Sequence, residues 1–416
     1  MQLVRLGALL SATAVVAAGC GGTAEESETL GTDTRALGRW SVMELADGWS
    51  PSLAVDGKGV PTVSVTQGVP NARKQSGDNT PVVFWNDGSF RSGTGWTRSD
   101  IGYAPGYLDG AFFNSVAMNV GRPQLAFSRR VNGGKAMPIT LELATRGMWG
   151  WQVDTLDSSG WIYQAVQRVS DDTTWVVYQD PTNSHGALRV ATTASGSWQT
   201  YGFPMPLALL SSLDAAVTDP SAGKPVLGVA TTTLDTSAAG EPRGLHFARS
   251  DDGGVTWTAP VHIDDTWGMI GPQIAFSGTD PVIAYTELDA HRAKFASSSD
   301  GGVSWKVETI GTFDVNPATG VAVDPRNGEP VVAIVADDFA TGKDRLSVAR
   351  RDATGNWVLE TVDTVDSALG RSFVVNPRIA VLPDGTVVLA YAWVDDIAQE
   401  TRVRFAWSSP PVIIHP

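Results

Sequence analysis

The sequence predicts an all-β fold assembled from repeated units of four short strands, and three observations carry that prediction. Two octets, Ser250-Asp251-Asp252-Gly253-Gly254-Val255-Thr256-Trp257 and Ser298-Ser299-Asp300-Gly301-Gly302-Val303-Ser304-Trp305, share the pattern S-x-D-x-G-x-(T/S)-W with their tryptophans 48 residues apart. A pattern recurring every 20–50 residues or so marks a repeat architecture, in which each unit buries its apolar face against the next. A second, apolar segment recurs seven times along the chain. Finally, 44 Gly, 24 Pro and 15 Trp in 416 residues provide for many turns and heavy aromatic packing.

Within each octet the chemistry is that of a hairpin turn. A short Asp side chain accepts hydrogen bonds from N–H groups of its own turn, and Gly reaches φ > 0 without penalty. The Trp covers apolar area at the start of the following strand. Ser250, Asp252, Gly254 and Trp257, with Ser298, Asp300, Gly302 and Trp305, are therefore read as structural. The octets resemble the Asp box, or BNR repeat, of the sialidase-type β-propellers. That resemblance implies a propeller of four-stranded blades. It implies little about activity, because in that family the box is a turn remote from the site, present in binders and enzymes alike.

Weaker copies align on the octets. Ala144–Trp151 and Ala191–Trp198 match them in length, Ala349–Trp357 is one residue longer, and Ser92–Trp96 is the poorest copy. Each interval between successive closing tryptophans fits four short strands and their turns. The apolar segment precedes each box, at Ser52-Leu53-Ala54, Ser115-Val116-Ala117, Gln164-Ala165-Val166, Asp214-Ala215-Ala216, Gln273-Ile274-Ala275, Gly320-Val321-Ala322 and Arg378-Ile379-Ala380. Seven copies predict seven blades. Six, the number in true sialidases, is the alternative, because blade one is irregular. The seventh copy ends at Trp407 without a box tryptophan, while Gly38-Arg39-Trp40-Ser41-Val42-Met43-Glu44 reads like Gly355-Asn356-Trp357-Val358-Leu359-Glu360. The N-terminal segment is therefore expected to supply the outer strand of the last blade and close the ring.

Residues 1–19 read as a signal peptide, with Arg5, an apolar run and a small-residue end. Ala17-Ala18-Gly19-Cys20 resembles a bacterial lipobox, although Ala17 stands where Leu is favoured. The resemblance implies cleavage before Cys20 and a lipid on its sulfur. Cys20 is the only cysteine, so no intrachain disulfide is possible. Residues 20–37 are polar and acidic and read as a flexible tether, which leaves 38–416 as one propeller domain. The expected localisation is extracytoplasmic and lipid-anchored in a bacterial cell envelope, at the outer membrane in preference to the inner. The formal net charge of −14 argues against nucleic acid and anionic lipid surfaces as partners. A monomer is expected.

Side chains two apart on a strand share a face. In the first strands Ala54, Ala117, Ala216, Ala275, Ala322 and Ala380 mark a small-residue position, with Val166 in blade three, and small residues suit a crowded central axis. Two residues earlier, at the predicted channel mouth, stand Ser52, Ser115, Gln164, Asp214, Gln273, Gly320 and Arg378. This polar ring is the candidate ligand site. Loops after the second strands add carboxylates, including Glu287, Asp289, Asp337 and Asp395. Such clusters either bind a hard cation such as Ca²⁺ or stay solvated, and no other cofactor is expected.

Sialidases clamp the substrate carboxylate with three arginines, the first in an Arg-Ile-Pro motif, and use a Tyr–Glu pair as nucleophile. No Arg-Ile-Pro occurs here, and Arg378-Ile379 is followed by Ala380. Tyr285 with Glu287, and Arg378, are the residues a sialidase-type reading would have to use. Tyr285 and Tyr391 hold the same place in their repeats, which favours packing. HExxH and Gly-x-Ser-x-Gly motifs are absent, and the five histidines lack metal-ligand spacing. The reading is a membrane-anchored lipoprotein whose propeller binds a glycan or an envelope protein without catalysis. An exo-sialidase or other glycoside hydrolase is the alternative, and a protein-interaction scaffold the second.

Overall fold

Short runs of β-branched and aromatic residues, punctuated by Gly and Asx turns, fold as 29 strands and one 3-10 turn among the described residues. The computed structural model describes residues 35–37, 39–67, 80–101, 114–130, 139–158, 165–170, 172–180, 187–203, 210–218, 224–233, 243–265, 271–314, 317–338, 342–366, 372–395 and 400–409. Cys20 and Gln164 lie outside these residues, as do the side chains of Asp337 and Asp395.

The strands form seven antiparallel sheets. Blades one to six run in chain order over 49–100, 114–157, 165–202, 210–264, 273–312 and 318–366, each a four-stranded meander. Their six first strands and that of a seventh blade, Ser372–Val381, touch one another in sequence, and the last touches the first, so the ring closes. The fold is a seven-bladed β-propeller. Six blades are excluded.

Closure uses the chain's N-terminal end. Blade seven takes three strands from the C-terminal end, Ser372–Val381, Val387–Asp395 and Glu400–Ser408, and its fourth, Trp40–Asp47, from the other. Trp40 pairs with Ser408 and Val42 with Ala406. Arg402 holds Glu44 at 2.9 Å, and Arg39 pairs with Glu360 of blade six. Trp40, Met43 and Leu45 are buried. Trp40 packs between blades six and seven, whereas Trp407 faces blade one. A fifth strand, Arg35–Leu37, pairs outside Trp40–Val42, so the last residues of the segment read as tether belong to the sheet. The chain then passes through Gly48 straight into blade one. Gly48 has φ +141°, and a Cβ there would meet the Thr66 carbonyl oxygen at 2.7 Å. Only glycine fits so close an approach.

No single central core exists. The apolar residues gather into seven clusters, one between each pair of neighbouring blades. The box tryptophans recur for this reason. Trp305 meets Phe247 of the preceding blade edge-on with centroids 5.1 Å apart. Trp357 meets Phe295 at 5.2 Å, Trp96 meets Phe405 at 5.0 Å, and Trp257 meets Phe203 at 4.6 Å. Each turn is thus a clamp on the blade before it.

A second device appears at alternate interfaces. Tyr178, Tyr285 and Tyr391 each donate their hydroxyl, at 2.6 Å, to Asp157, Asp264 and Asp363 on the outer strand of the preceding blade. Arg189, Lys294 and Arg404 respectively complete each set as the cation. Burial, then the adjoining carboxylate, pushes all three phenols well above their ordinary range and keeps them neutral donors. For Tyr391 the same two causes act in the same order. Asp363, which is buried, and the half-buried Asp157 and Asp264 are tolerated here because each finds both a hydroxyl and a cation.

Candidate functional site

Antiparallel order puts two kinds of connection at opposite ends of the ring. First-to-second and third-to-fourth turns share one end, and all the box turns lie there. Second-to-third loops and blade-to-blade links share the other. The two longest connections, from Gln67 to Thr80 and from Asp100 to Asn114, are at this second end.

At the box end the Ser and Asp side chains that define the two full octets are committed to their own turns. Asp252 accepts from the Ser250 hydroxyl (2.8 Å), the Val255 and Thr256 N–H groups (3.1 and 2.9 Å) and the Thr256 hydroxyl (2.6 Å). Asp300 repeats the set with Ser298, Val303 and Ser304 at 2.7, 3.0, 2.8 and 2.6 Å. For Asp252 slight burial raises the carboxyl, but the Thr256, Ser250 and Val255 donors outweigh it and hold it at about 2. Asp300 is held at about 2 by the Ser304 hydroxyl first, then by the Ser304 N–H and Ser298. The Ser250 and Ser298 hydroxyls accept the Gly254 and Gly302 N–H groups at 2.8 Å. Gly302 lies at φ +99° with Phe247 where a Cβ would stand, 2.2 Å away. Blade three reaches across to the turn of blade four through Trp175 Nε1 on the Gly253 carbonyl (3.0 Å), and blade four to that of blade five through Arg249 on the Gly301 carbonyl (2.9 Å). These octets are scaffold, as read from the sequence.

On the axis the seven first strands enclose a neck of about 270 Å³. Most of the predicted mouth residues do line it, namely Ser52, Ser115, Asp214, Gln273 and Arg378. Several are occupied in holding the ring together. Ser52 Oγ accepts the Val116 N–H (3.1 Å), Ser115 Oγ the Gln167 N–H (2.9 Å), and Asp214 Oδ2 the Ile274 N–H (3.0 Å). Each is a side chain of one blade satisfying the backbone of the next. Gln273 reaches past blade six to donate to the Pro377 carbonyl of blade seven at 3.0 Å. It can do so because Gly320 stands between, where a Cβ would meet that same carbonyl at 2.7 Å.

The cross-blade ladder corrects the register of blade three. The N–H donors Val116, Gln167 and Ile274 directly follow the mouth residues Ser115, Val166 and Gln273. Val166, not Gln164, therefore holds the mouth position, and it pairs with Val177 as Gln273 pairs with Ala284. Two residues on, where the other six blades carry alanine, stands Arg168. It lines the neck and donates to Asp214 Oδ1 (3.0 Å) and to the Gln167 carbonyl (2.7 Å). The charged side chains lining the neck are thus Arg168, Asp214 and Arg378. The Tyr-bearing second strands held the missing signal: aligning Tyr178 with Tyr285 and Tyr391 places Val166 and Arg168 correctly.

Other predicted site residues are apart from the neck. Glu287 faces Arg292 at 3.4 Å and Lys294 at 3.8 Å, and Asp289 is exposed on the same loop. Asp337 and Asp395 close the second strands of blades six and seven. Tyr285, the sialidase-type nucleophile candidate, is buried between blades four and five with its hydroxyl on Asp264, while Arg378 stands on the axis. Among the described residues no three His, Cys, Asp or Glu side chains gather as a metal site. No described helix is long and apolar enough to cross a membrane.

No family model matches the chain, and no curated protein matches it. Solved structures do resemble it in outline. NanB sialidase from Streptococcus pneumoniae superposes with TM-score 0.49 at 12% identity, covering 88% of this chain and 70% of that one. The intramolecular trans-sialidase from Ruminococcus gnavus gives 0.45 at 12%, over 95% of this chain and 100% of that one. A protein of unknown function from Dyadobacter fermentans gives 0.49 at 12%, over 90% and 100%. The chain is similar to sialidase-type β-propellers in architecture, and similarity at this level reaches no further than the fold.

Proposed function

We propose that this chain is a non-catalytic recognition propeller of a bacterial envelope, held by lipid on Cys20, which presents the end opposite its box turns to a glycan or an envelope protein. The observation that carries this reading is the division of labour between the two ends. The box turns are saturated with internal hydrogen bonds, whereas the two longest connections, from Gln67 to Thr80 and from Asp100 to Asn114, are at the other end. Long loops on a rigid frame are where binding residues concentrate. The two phenols weighed for a sialidase-type nucleophile, Tyr285 and Tyr391, support binding over that chemistry, because they are buried and committed to Asp264 and Asp363.

A glycan array and a pull-down of envelope proteins with the purified chain test the reading, beside a fluorogenic sialoside assay. Binding without turnover supports it; sialoside hydrolysis would replace it with the enzyme reading. Cys20→Ser should abolish acyl labelling and release the protein from membranes, and unchanged fractionation would remove the anchor.

The scaffold reading has one observation of its own. Val120, Met148 and Trp149 stand 76, 75 and 88% exposed at the box end of blade two. They flank a cavity of about 330 Å³ between blades one and two, lined by Trp85, Met118, Arg122 and Arg146. Trp149→Ser would abolish capture of a protein partner on this reading and leave it intact on the first.

A further inference from the structure

Arg378 is the one neck residue whose chemistry is left open. Its Nε is buried without a hydrogen-bond partner, and among the described residues its side chain makes no hydrogen bond or ion pair. Asp214, the one carboxylate among the described neck residues, is already engaged by Arg168 and by the Ile274 N–H. Among the described residues the neck therefore carries two guanidinium charges against one carboxylate. A guanidinium does not deprotonate in proteins, so Arg378 cannot escape burial by becoming neutral. Arg378 is half-buried with its Nε fully enclosed, and a charge held there without a paired carboxylate is costly to keep. Its surroundings are also equipped beyond charge. The Ser52 and Ser115 hydroxyls each accept a backbone N–H, which leaves the hydroxyl hydrogen to donate. The cavity, at about 270 Å³, exceeds what a single water fills several times over.

We propose that the axial neck is an anion site, in which a small oxyanion of the phosphate or sulfate class neutralises Arg378. The planar fork of Arg378 matches two oxygens of a tetrahedral oxyanion. Arg168 adds a second positive charge while Asp214 fixes its orientation, and the two serines supply neutral donors. Burial, with Arg168 adding to it, works against the charge on Arg378, and Asp214 offsets this only in part. An anion removes the conflict. This inference concerns the axis and a different ligand from the recognition end proposed above, and either can fail while the other stands. An empty glycan array leaves the anion site standing, and a neck indifferent to phosphate leaves the recognition reading standing.

The test is titration of the purified full chain with inorganic phosphate at constant ionic strength, followed by calorimetry and by thermal melting. Wild type should bind saturably and melt higher as phosphate is added. Arg378→Met should lose the saturable phase, with affinity weaker by roughly tenfold or more, and without phosphate should melt no lower than wild type, since a bare charge has been removed. Arg378→Gln serves should the methionine variant fail to fold. Arg168→Met should weaken phosphate binding as well, and should lower the melting temperature by leaving Asp214 unpaired. No saturable phosphate binding to wild type, or equal binding to the Arg378 variants, would overturn the proposal.

Discussion

In the turn of blade four a single carboxylate, Asp252, gathers four donors from its own octet, while in the neck one of two guanidiniums, Arg378, gathers no acceptor among the described residues. Both side chains are charged and both belong to repeating positions. They differ in what the repeat supplies around them. The turn is closed within eight consecutive residues, so its donors arrive together with its acceptor wherever the octet occurs. The neck is assembled from seven different blades, and each blade brings whatever residue its sequence holds at that place. Local closure gives a polar group its partners; assembly at a distance can leave one without. Bare charge in a propeller of otherwise saturated turns is where a ligand has something to add.

The largest effect should come from removing the support that both regions share. Deleting Trp40–Asp47 takes the fourth strand from blade seven, exposes the edge of Glu400–Ser408 and strips Trp40, Met43 and Leu45 from the core. The truncated protein should aggregate or melt without a cooperative transition. A truncation that stayed monomeric with an unchanged melting temperature would mean that the ring does not need this closure.

Next in size are the buried sets between blades. Tyr391→Phe removes the hydroxyl that serves Asp363 and leaves a buried carboxylate one donor short, with Arg404 and the Thr364 N–H as its remaining partners. Chemical denaturation should register a loss of about 1–3 kcal/mol. Ligand and phosphate binding should be untouched, and an effect on either would tie this set to the site.

The box turns should matter less. Asp252→Ala and Asp300→Ala should each lower the melting temperature by a few degrees and leave the phosphate response of the neck intact. Their carboxyls are held near 2, below the usual range, so the stability they add is present above about pH 4 and is lost as pH falls toward 2. The double Asn variant should therefore show a flatter acid-denaturation curve in that window. An Ala variant of full stability that lost binding would make the box part of a site and erase the contrast drawn above.

His246 should give the smallest effect near neutrality. Burial, with His262 beside it at a centroid distance of 5.0 Å, holds its imidazole at about 4, below the ordinary 6.5. The folded protein thus needs it neutral: its contribution is complete above about pH 6.5 and is lost as pH falls toward 4. Melting temperatures at pH 7.5 and 5.5 should differ by less in His246→Phe than in wild type. Equal differences would show that His246 does not titrate in this range.

Much of the architecture is legible because its determinants are short. Eight-residue boxes and five-residue apolar strands repeat at blade spacing, so seven blades can be counted. The likeness of Trp40-Ser41-Val42 to Trp357-Val358-Leu359 identifies the closing strand across almost the whole chain. Blade three shows where this stops. Gln164-Ala165-Val166 resembles the other first strands well enough to be aligned two residues early, which puts a glutamine in place of Val166 and hides Arg168. A slip of two keeps every side chain on its own face, so hydrophobic alternation cannot detect it.

By itself, then, the sequence determined the blade, its box turn and the strand that closes the ring, because hydrogen bonds within a turn and alternation along a strand depend on neighbours in the chain. Tertiary structure decided the contents of the axis. Gln273 finds its acceptor on Pro377, 104 positions away, only because Gly320 leaves a gap between them. Ser52, Ser115 and Asp214 look like ligand-facing residues in the sequence but are largely engaged with the backbone of the following blade. Whether a polar side chain is spent or available is set by what packs against it from other blades, and that depends on how the ring closes.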